Sequence, residues 1–429
     1  MSFNIGLSGL RAASGSLDVI GHNIANGNTV GMKAGRAQFA ELYATSMGAV
    51  GGGTGGIGVE LANVRQMFTQ GNVTITGNDL DLAINGQGFF EVELTDGTSA
   101  YTRAGEFNLN KEGYMVTAQG AKLQGYPAQD GVILSGAVAP IRFPTNEGIE
   151  AKATTQINAQ LNLNASAAVQ TGDLATGFTP PLQTYGTSLV TYDTQGNEVP
   201  VSLYFVKTAA NTWDVYAKPA DVPGATAPMP TTLLGNLTFD EKGILTQASV
   251  DALDTWTLEV PNLAATTDPD APVMLPVSLA RGGGVTDIGL SEVTQFASRF
   301  AVNLLEQDGN APGQFTGISI GEDGIIESRY SNGQTKVAGQ VTLTNFRNLQ
   351  ALEPQGGGYW RSNSDAGTAV RGTPTTAGFG LLRQGALEES NVDITAELVN
   401  MITAQRSYQA NAQTIKTQDQ IFSTLVNLR

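Results

Sequence analysis

Apolar residues recur every seven positions at both ends of the chain, and this period is lost in between. Such a repeat is typical of amphipathic helices that pack along a shared seam, as in a coiled coil. We therefore predict one helix over the first 25 residues and a longer one from about Ile394 almost to Arg429. The seam residues of the first helix are Phe3, Leu10, Leu17, Ile20 and Ile24. Those of the second helix are Ile394, Leu398, Met401, Tyr408, Ile415 and Phe422.

Short polar stretches mark where the first helix stops and the second begins. The stretch NIANGNTVGMK, residues 23–33, contains three asparagines and two glycines. Asn26 and Gly27 are residue types that adopt the left-handed backbone found at helix ends, and Asn28 can cap the segment after it. We predict that the first helix ends there and that the chain turns outward. Three residues can serve as N-cap of the second helix: Ser390, Asn391 and Asp393.

Between the two helices the apolar period changes to two, the pattern of strands with one buried face. Residues 80–93 alternate around an Asn85–Gly86 pair, which predicts a hairpin. Similar alternation surrounds the NKEG stretch at 110–113 and the Asn332–Gly333 pair. These strands predict an antiparallel β domain that is split in sequence over residues 71–145 and 285–380.

Residues 146–284 have a different composition, since twelve of the seventeen prolines fall between Pro144 and Pro276. Short apolar strands alternate there with proline and glycine turns, which favours a β-sandwich or barrel. We predict a second antiparallel β domain inserted into the first. The fold class is then mainly β with α-helical termini. The terminal helices form a coiled-coil-like domain over residues 1–70 and 381–429, which includes a glycine-rich linker.

Charge and composition narrow the range of functions. Among 429 residues there are 23 basic and 39 acidic ones, a net charge of −16, and no cysteine. Contact with phosphate needs Lys and Arg, so we expect neither a nucleic-acid nor a membrane partner. Without cysteine there are no disulfides, thiol nucleophiles or cysteine zinc sites. We also expect no Sec signal, because the N-terminus lacks a basic region before an apolar one.

The candidate catalytic and cofactor motifs favour no enzyme. The GGGTGGIG stretch at 51–58 has glycine spacing found in dinucleotide sites, which require a preceding strand and a following helix. Here we expect the opposite order, with a helical segment that ends near Met47 before the glycines and a strand after them. A flexible linker is therefore favoured. His22 is the only histidine, and Asp79 and Asp81 are expected to face solvent. A nucleotide-dependent enzyme or a carboxylate hydrolase stays as the alternative; no catalytic, metal or cofactor site is predicted.

Several stretches resemble one family. LDVIGHNIANGNTVGMKAGRAQF, residues 17–39, is similar to the N-terminal signature of the bacterial flagellar rod and hook axial proteins, although Met32 stands where the family often has an aromatic residue. Residues 385–429 resemble the family's C-terminal segment, and β segments between them resemble its shared β domain. The matching signature residues are Asn23, Asn26, Asn28, Gly31 and Lys33.

The resemblance implies a structural subunit. The inserted domain favours the hook members over the shorter rod members, with a distal rod protein as the alternative. The family layout implies a curved hollow tube of identical chains that joins rod to filament and transmits torque as a universal joint. Terminal helices would line the channel, with the split β domain in the middle shell and the inserted domain outermost.

The implied partners are, besides other copies, the distal rod protein, the hook cap, the hook-filament junction proteins and the flagellar type III export apparatus. The chain would reach the extracellular hook by that export route, without a cleaved signal peptide.

Overall fold

The computed structural model describes most of the chain, and all structural statements below concern that part. The described residues are 2–43, 56–129, 131–143, 148–249, 256–269, 271–278, 293–376 and 378–427. The expected linker residues 51–55 lie outside it. The chain forms two compact units, the first comprising Met1–Thr145, Gly317–Arg329 and Thr335–Arg429, and the second Asn146–Thr316 and Tyr330–Gln334. The fold is mainly β with a helix at each end, as predicted.

The two terminal helices are α1, Ser2–Ala25, and α2, Ile394–Asn427. Of the three N-cap candidates before α2, Asp393 makes the cap, because its Oδ1 accepts hydrogen bonds from the backbone N–H groups of Thr395 and Ala396. A carboxylate there accepts hydrogen bonds from two backbone amides that have no partner within the helix. Its negative charge also interacts favourably with the positive N-terminal end of the helix dipole.

The predicted left-handed helix end at Asn26 and Gly27 is wrong. Neither has a positive φ; the left-handed residue is Gly31, with φ +69°. The chain leaves α1 through tight right-handed turns, in which Gly27 N–H donates to the Ile24 carbonyl. Gly27 instead makes room for α2, because a Cβ there would lie 3.0 Å from Ile394 Cγ1.

A two-stranded ribbon follows α1. It consists of β1, Gly35–Tyr43, and β2, Gly56–Gln66, which pair antiparallel with two register shifts. The expected helical segment is therefore wrong over residues 35–43, while Met47 lies outside the described residues. The alternation of small, polar and aromatic residues in β1 matches a strand better than a helix. The ribbon packs on α1, where a Cβ on Gly15 would lie 3.3 Å from Leu61.

The first unit continues with strands that build its main sheet and two small ones. They are β3 Val73–Ile75, β4 Leu82–Asn85, β5 Phe89–Glu93, β6 Ser99–Thr102, β7 Asn108–Leu109, β8 Met115–Val116, β9 Lys122–Gln129, β10 Val132–Ile133 and β11 Ala139–Pro140.

The second unit has a core formed by strands of several small sheets. The strands are β12 Ile157–Asn164, β13 Thr171–Asp173, β14 Gly177–Thr179, β15 Gly186–Tyr192, β16 Glu198–Ala209, β17 Thr212–Pro219, β18 Thr232–Thr238, β19 Thr257–Pro261, β20 Met274–Ser278, β21 Thr294–Phe296 and β22 Ala301–Gln307. Strands β15 to β18 pair in chain order, while β12 lies between β21 and β22. Their inward side chains share one core around Phe205, Trp213 and Trp256.

One strand pair of the second unit departs from the predicted antiparallel arrangement. β12 and β21 are parallel. The alternation of apolar and polar positions reports which face of a strand is buried, but not the direction of its neighbour.

The chain then completes the first unit. Its last strands are β23 Phe315–Ile320, β24 Ile325–Tyr330, β25 Thr335–Val341, β26 Leu343–Asn345, β27 Glu353–Gly356, β28 Tyr359–Arg361, β29 Val370–Gly372, β30 Leu381–Gln384 and β31 Ala386–Glu388. The main sheet runs in the order β23-β24-β25-β9-β5-β6-β28-β27. The small sheets pair β3 with β31 and β4 with β30.

The predicted hairpin turns have mixed outcomes. The hairpins at 110–113 and at Asn332–Gly333 are confirmed by the pairs β7–β8 and β24–β25. The hairpin at Asn85–Gly86 is wrong, because β4 pairs with β30 and β5 pairs with β6, β9 and β26. Gly86 and Gly88 both have positive φ and redirect the chain from one sheet to another.

Candidate assembly site

The helices α1 and α2 pack against each other through small residues. A Cβ on Gly6 would lie 3.2 Å from Ile415 Cγ1, and one on Gly9 would lie 2.9 Å from the side-chain amide of Asn411. Ala404 of α2 is 9% exposed. Glycine at these positions lets the two helix backbones approach closely.

The predicted seam residues of α1 lie mostly on its covered side. Ile20 is buried, and Leu10, Leu17 and Ile24 are half-buried. The side chain of Phe3 lies outside the described part of the chain.

The predicted seam residues of α2 divide into two groups. Met401 and Ile415 are half-buried. Ile394, Leu398 and Tyr408 are exposed at 39%, 47% and 38%. The side chain of Phe422 is outside the described part. Among the described residues, one side of α2 thus faces α1, while Leu398 lies on an apolar side that no other described residue covers.

A groove of about 730 Å³ runs between α1, α2 and the ribbon. Ala13 and Ile20 line it from α1, and Phe39 and Val59 from the ribbon. The α2 side is more polar, with Asn400 among its lining residues.

The signature residues do not act alike. Asn23, 1% exposed, holds both backbone groups of Gly35, since its Oδ1 accepts from the N–H and its Nδ2 donates to the carbonyl, each at 2.8 Å. Its Nδ2 also lies 3.3 Å from Oε1 of Glu397, in the first turn of α2. Asn26 Nδ2 donates to the His22 carbonyl, and Asn28 is exposed. Asn23 thus joins the end of α1, the start of β1 and the start of α2.

Lys33 and Arg103 share one buried carboxylate, that of Glu388 at the end of β31. Lys33 Nζ lies 2.5 Å from Glu388 Oε1 and also donates to the Thr69 carbonyl at 2.8 Å. Arg103 Nη1 lies 3.0 Å from Glu388 Oε2. The side chains of Lys33 and Glu388 are 1% and 0% exposed. Burial lowers the pKa of the Lys33 ammonium, and the carboxylate beside it only partly opposes this.

Backbone contacts complete this cluster. Gly31 N–H donates to the Glu388 carbonyl, and Gly71 N–H donates to Glu388 Oε1. Asn391 Oδ1 accepts from the backbone N–H of Ala34, and its Nδ2 donates to the Met67 carbonyl. We name this cluster the polar junction; its side chains are those of Asn23, Lys33, Arg103, Glu388 and Asn391.

Sequence reasoning finds Asn23, Gly31 and Lys33 but gives no such role to Arg103, Glu388 or Asn391. The sequence suggests Asn391 only as a helix cap and singles out neither Arg103 nor Glu388. Lys33 itself could have indicated an acidic partner. It is the charged residue in a signature of small and amide residues, and a lysine that is buried needs a counter-charge.

The residues weighed for chemistry differ in their exposure. Asp81, expected to face solvent, is 7% exposed and accepts from Thr76 Oγ1 and Asn78 Nδ2. Asp79 is exposed and His22 is exposed. Within the described ranges, no three or more acidic or histidine side chains are grouped as metal ligands would be. No described helix has the length and apolar character needed to cross a bilayer.

The sequence matches four protein families along its length. Residues 3–33 match "Flagella basal body rod protein", and 83–165 match "Flagellar hook protein FlgE/F/G D1 domain". Residues 162–310 match "Flagellar basal body protein FlaE D2 domain", and 383–428 match "Flagellar basal body rod FlgEFG protein C-terminal".

Full-length relatives are similar throughout. The flagellar hook protein FlgE of Salmonella typhimurium strain LT2 is 40% identical over 436 residues, with 100% of both chains covered. That of Escherichia coli K12 is 38% identical over 434 residues, again with 100% of both chains covered. The crystal structure of Helicobacter pylori flagellar hook protein FlgE2, at 15% identity, matches the fold with a TM-score of 0.52 over 73% of this chain and 100% of that chain.

These matches define a class of structural subunits, the axial proteins of the bacterial flagellum, and not a class of enzymes. Within that class, the chain belongs to the flagellar hook protein family. The distal rod alternative is not favoured, because the full-length relatives are hook proteins and the D2 domain match covers residues 162–310.

Proposed function

We propose that copies of this chain polymerise into the curved, hollow tube of the hook, which links the rod to the filament and transmits torque as a flexible universal joint. The observation that carries the proposal is the apolar side of α2 that no other described residue covers. Leu398, Val399 and Ile402 are exposed at 47%, 60% and 51%, next to Ile394. Apolar residues grouped on one helix face are stabilised when another surface covers them.

Electron microscopy of the purified full chain during salt-induced polymerisation tests this. The variant carrying both Leu398→Asp and Ile402→Asp should keep the circular dichroism of the folded chain but form no tubes. The control is Val132→Asp in β10, which places the same charge at a residue 66% exposed in the same unit. Tubes of normal number and length from the double variant would refute the role of this helix face.

The domain layout is part of the same proposal. We assign residues 1–70 and 381–429 to an inner helical domain in which α1 and α2 form a coiled-coil-like pair that lines the channel. Residues 71–145 and 285–380 form the middle shell, and 146–284 form an inserted outer domain. The close approach of the helices at Gly6 and Gly9 supports the first assignment. In the sequence, segments of the first unit lie both before and after the second unit, and this supports the insertion.

The seam residues and the signature residues have different tasks in this layout. We assign the seams of α1 and α2 to contacts within and between copies. We assign Asn23, Gly31 and Lys33 to fixing the corner where the chain leaves α1. Their hydrogen bonds to Gly35, Glu388 and Thr69 support that assignment.

Export and assembly partners complete the proposal. The chain leaves the cell through the flagellar type III apparatus and meets the distal rod protein, the hook cap and the hook-filament junction proteins. Expression in a strain that lacks its own hook protein tests this. We expect motility to return and hooks carrying a chain with an intact N-terminus, as read by mass spectrometry. Rescue of a strain lacking the distal rod protein instead would favour the rod alternative.

A further inference from the structure

The polar junction holds more positive than negative charge. In the part of the chain that the structure describes, the ion pairs of Lys33 and of Arg103 both end on Glu388. Two buried cations therefore share one carboxylate. Arg103 is 5% exposed, its Nη2 donates to the Gly86 carbonyl, and its Nε–H is buried without a partner. An uncompensated buried charge and an unused donor are both costly.

A cavity is lined in part by Arg103. Its volume is about 270 Å³, enough for a small ion or a carboxylate group. Its wall combines apolar rings and side-chain amides: Phe68, Gln87, Gly88, Phe89, Arg103 and Asn345. The guanidinium carbon of Arg103 lies 5.3 Å from the centre of the Phe89 ring. None of these wall residues is acidic, so the cavity has a positive end and no negative one.

We propose that this cavity binds a small monovalent anion, either chloride or a carboxylate, against the Arg103 guanidinium. The anion supplies the negative charge that the junction lacks. Because the wall is partly apolar, the attraction acts at short range in a medium of low dielectric and is screened less than at the surface. Such an anion stabilises the polar junction, where the segment that follows α1 meets the segment that precedes α2.

The alternative explanation for the two cations and one carboxylate is that Lys33 is neutral. A neutral amine has two N–H groups, and Lys33 Nζ uses two, toward the Thr69 carbonyl and Glu388 Oε1. The two explanations predict different responses to added anions. An anion site gives saturable stabilisation, whereas a neutral lysine leaves no charge for an anion to balance.

Thermal unfolding of the full chain at constant ionic strength tests the proposal. Sodium gluconate, whose anion is bulkier and more strongly hydrated than chloride or acetate and therefore enters a partly apolar cavity less readily, is replaced stepwise by sodium chloride or by sodium acetate. We expect the unfolding midpoint to rise and then saturate, and the two arms tell chloride from carboxylate. Identical midpoints in all three salts would overturn the proposal.

Two variants separate anion binding from general effects of salt. Lys33→Met leaves the cavity wall intact but balances the charges, so the saturable rise should disappear. Asn345→Asp places a carboxylate in the wall, so the midpoint in gluconate should rise and the response to chloride should be lost. The matched control is Asn63→Asp, which adds the same charge on exposed β2 and should respond as the unmodified chain does. A saturable rise that persists in Lys33→Met and Asn345→Asp would also overturn the proposal.

Discussion

Lys33 and Glu388 form a buried ion pair between residues 355 positions apart in the sequence. Lys33 lies just after the corner that ends α1, and Glu388 ends β31, six residues before α2 begins. This pair therefore fixes the positions at which both terminal segments leave the β structure. Since it joins opposite ends of the chain, it forms only after most of the sequence has been synthesised.

Removing the shared carboxylate should destabilise the first unit strongly. In Glu388→Gln, Lys33 and Arg103 remain buried without a counter-charge, a situation that costs about 3 to 5 kcal/mol. Chemical denaturation followed by circular dichroism measures the loss of unfolding free energy. The neighbouring Glu389→Gln is the control, because Glu389 is exposed and its replacement should change stability by less than about 0.5 kcal/mol. Equal effects of the two substitutions would mean that the buried pair adds no stability.

The lowered pKa of Lys33 gives a pH dependence with a definite sign. Burial lowers this pKa in the folded chain below the usual 10.5 of the unfolded one. Between the two values the unfolded chain binds more protons than the folded chain, so the unfolding free energy contributed by this group rises with pH. The contribution is complete above 10.5 and is lost as the pH falls through the folded pKa. In urea titrations at a series of pH values, Lys33→Met should remove this rise, while Lys111→Met, at an exposed turn, should keep it.

Periodic patterns allowed the helices and many strands to be predicted. The seven-residue repeat located α1 and α2 closely, because a helix that buries one side must repeat its apolar residues at helical spacing. The cap at Asp393 and the turn at Asn332–Gly333 could also be predicted, because each depends on the chemistry of neighbouring residues and not on contacts distant in sequence. The Asn85–Gly86 pair misled for the same reason. It supplies a turn, but the partner of β4 is β30, far along the chain, and no local pattern encodes that.

The polar junction could be predicted only in part. The resemblance to a family singled out Asn23, Gly31 and Lys33. Their partners Arg103 and Glu388 lie just after β6 and at the end of β31, where the apolar pattern gives no reason to select them. An ion pair is defined by geometry in three dimensions, and sequence separation carries little information about it. The same limit explains why the exposed side of α2 was not distinguished from the side that faces α1, since both contain apolar residues at similar spacing.

The close approach of α1 and α2 predicts that side-chain size at Gly9 matters. A Cβ at Gly9 would lie 2.9 Å from the Asn411 amide, so the side chain of Gly9→Leu must displace that amide and crowd the space between the helices. Overpacking of this kind costs about 1 to 3 kcal/mol. The matched control is Gly21→Leu in the same helix, where a Cβ would meet nothing within 4 Å. There we expect no loss, or a gain of up to about 1 kcal/mol from better helix propensity. Hydrogen exchange of α2 amides measures both, and faster exchange in Gly21→Leu than in Gly9→Leu would contradict this packing.

Gly31 should be the most sensitive position of the signature. Its φ is +69°, and a Cβ there would lie 2.4 Å from the backbone nitrogen of Ala104, which cannot move aside as a flexible side chain could. Gly31→Ala therefore combines about 1 to 2 kcal/mol of backbone strain with about 1 to 3 kcal/mol of steric conflict. Gly97→Ala separates the two, because Gly97 has φ +82° but open space around it, so that only the strain applies. In denaturant titrations the loss of unfolding free energy should be clearly larger for Gly31→Ala. Similar losses for the two variants would mean that Ala104 does not crowd this corner and that the backbone there is free to shift.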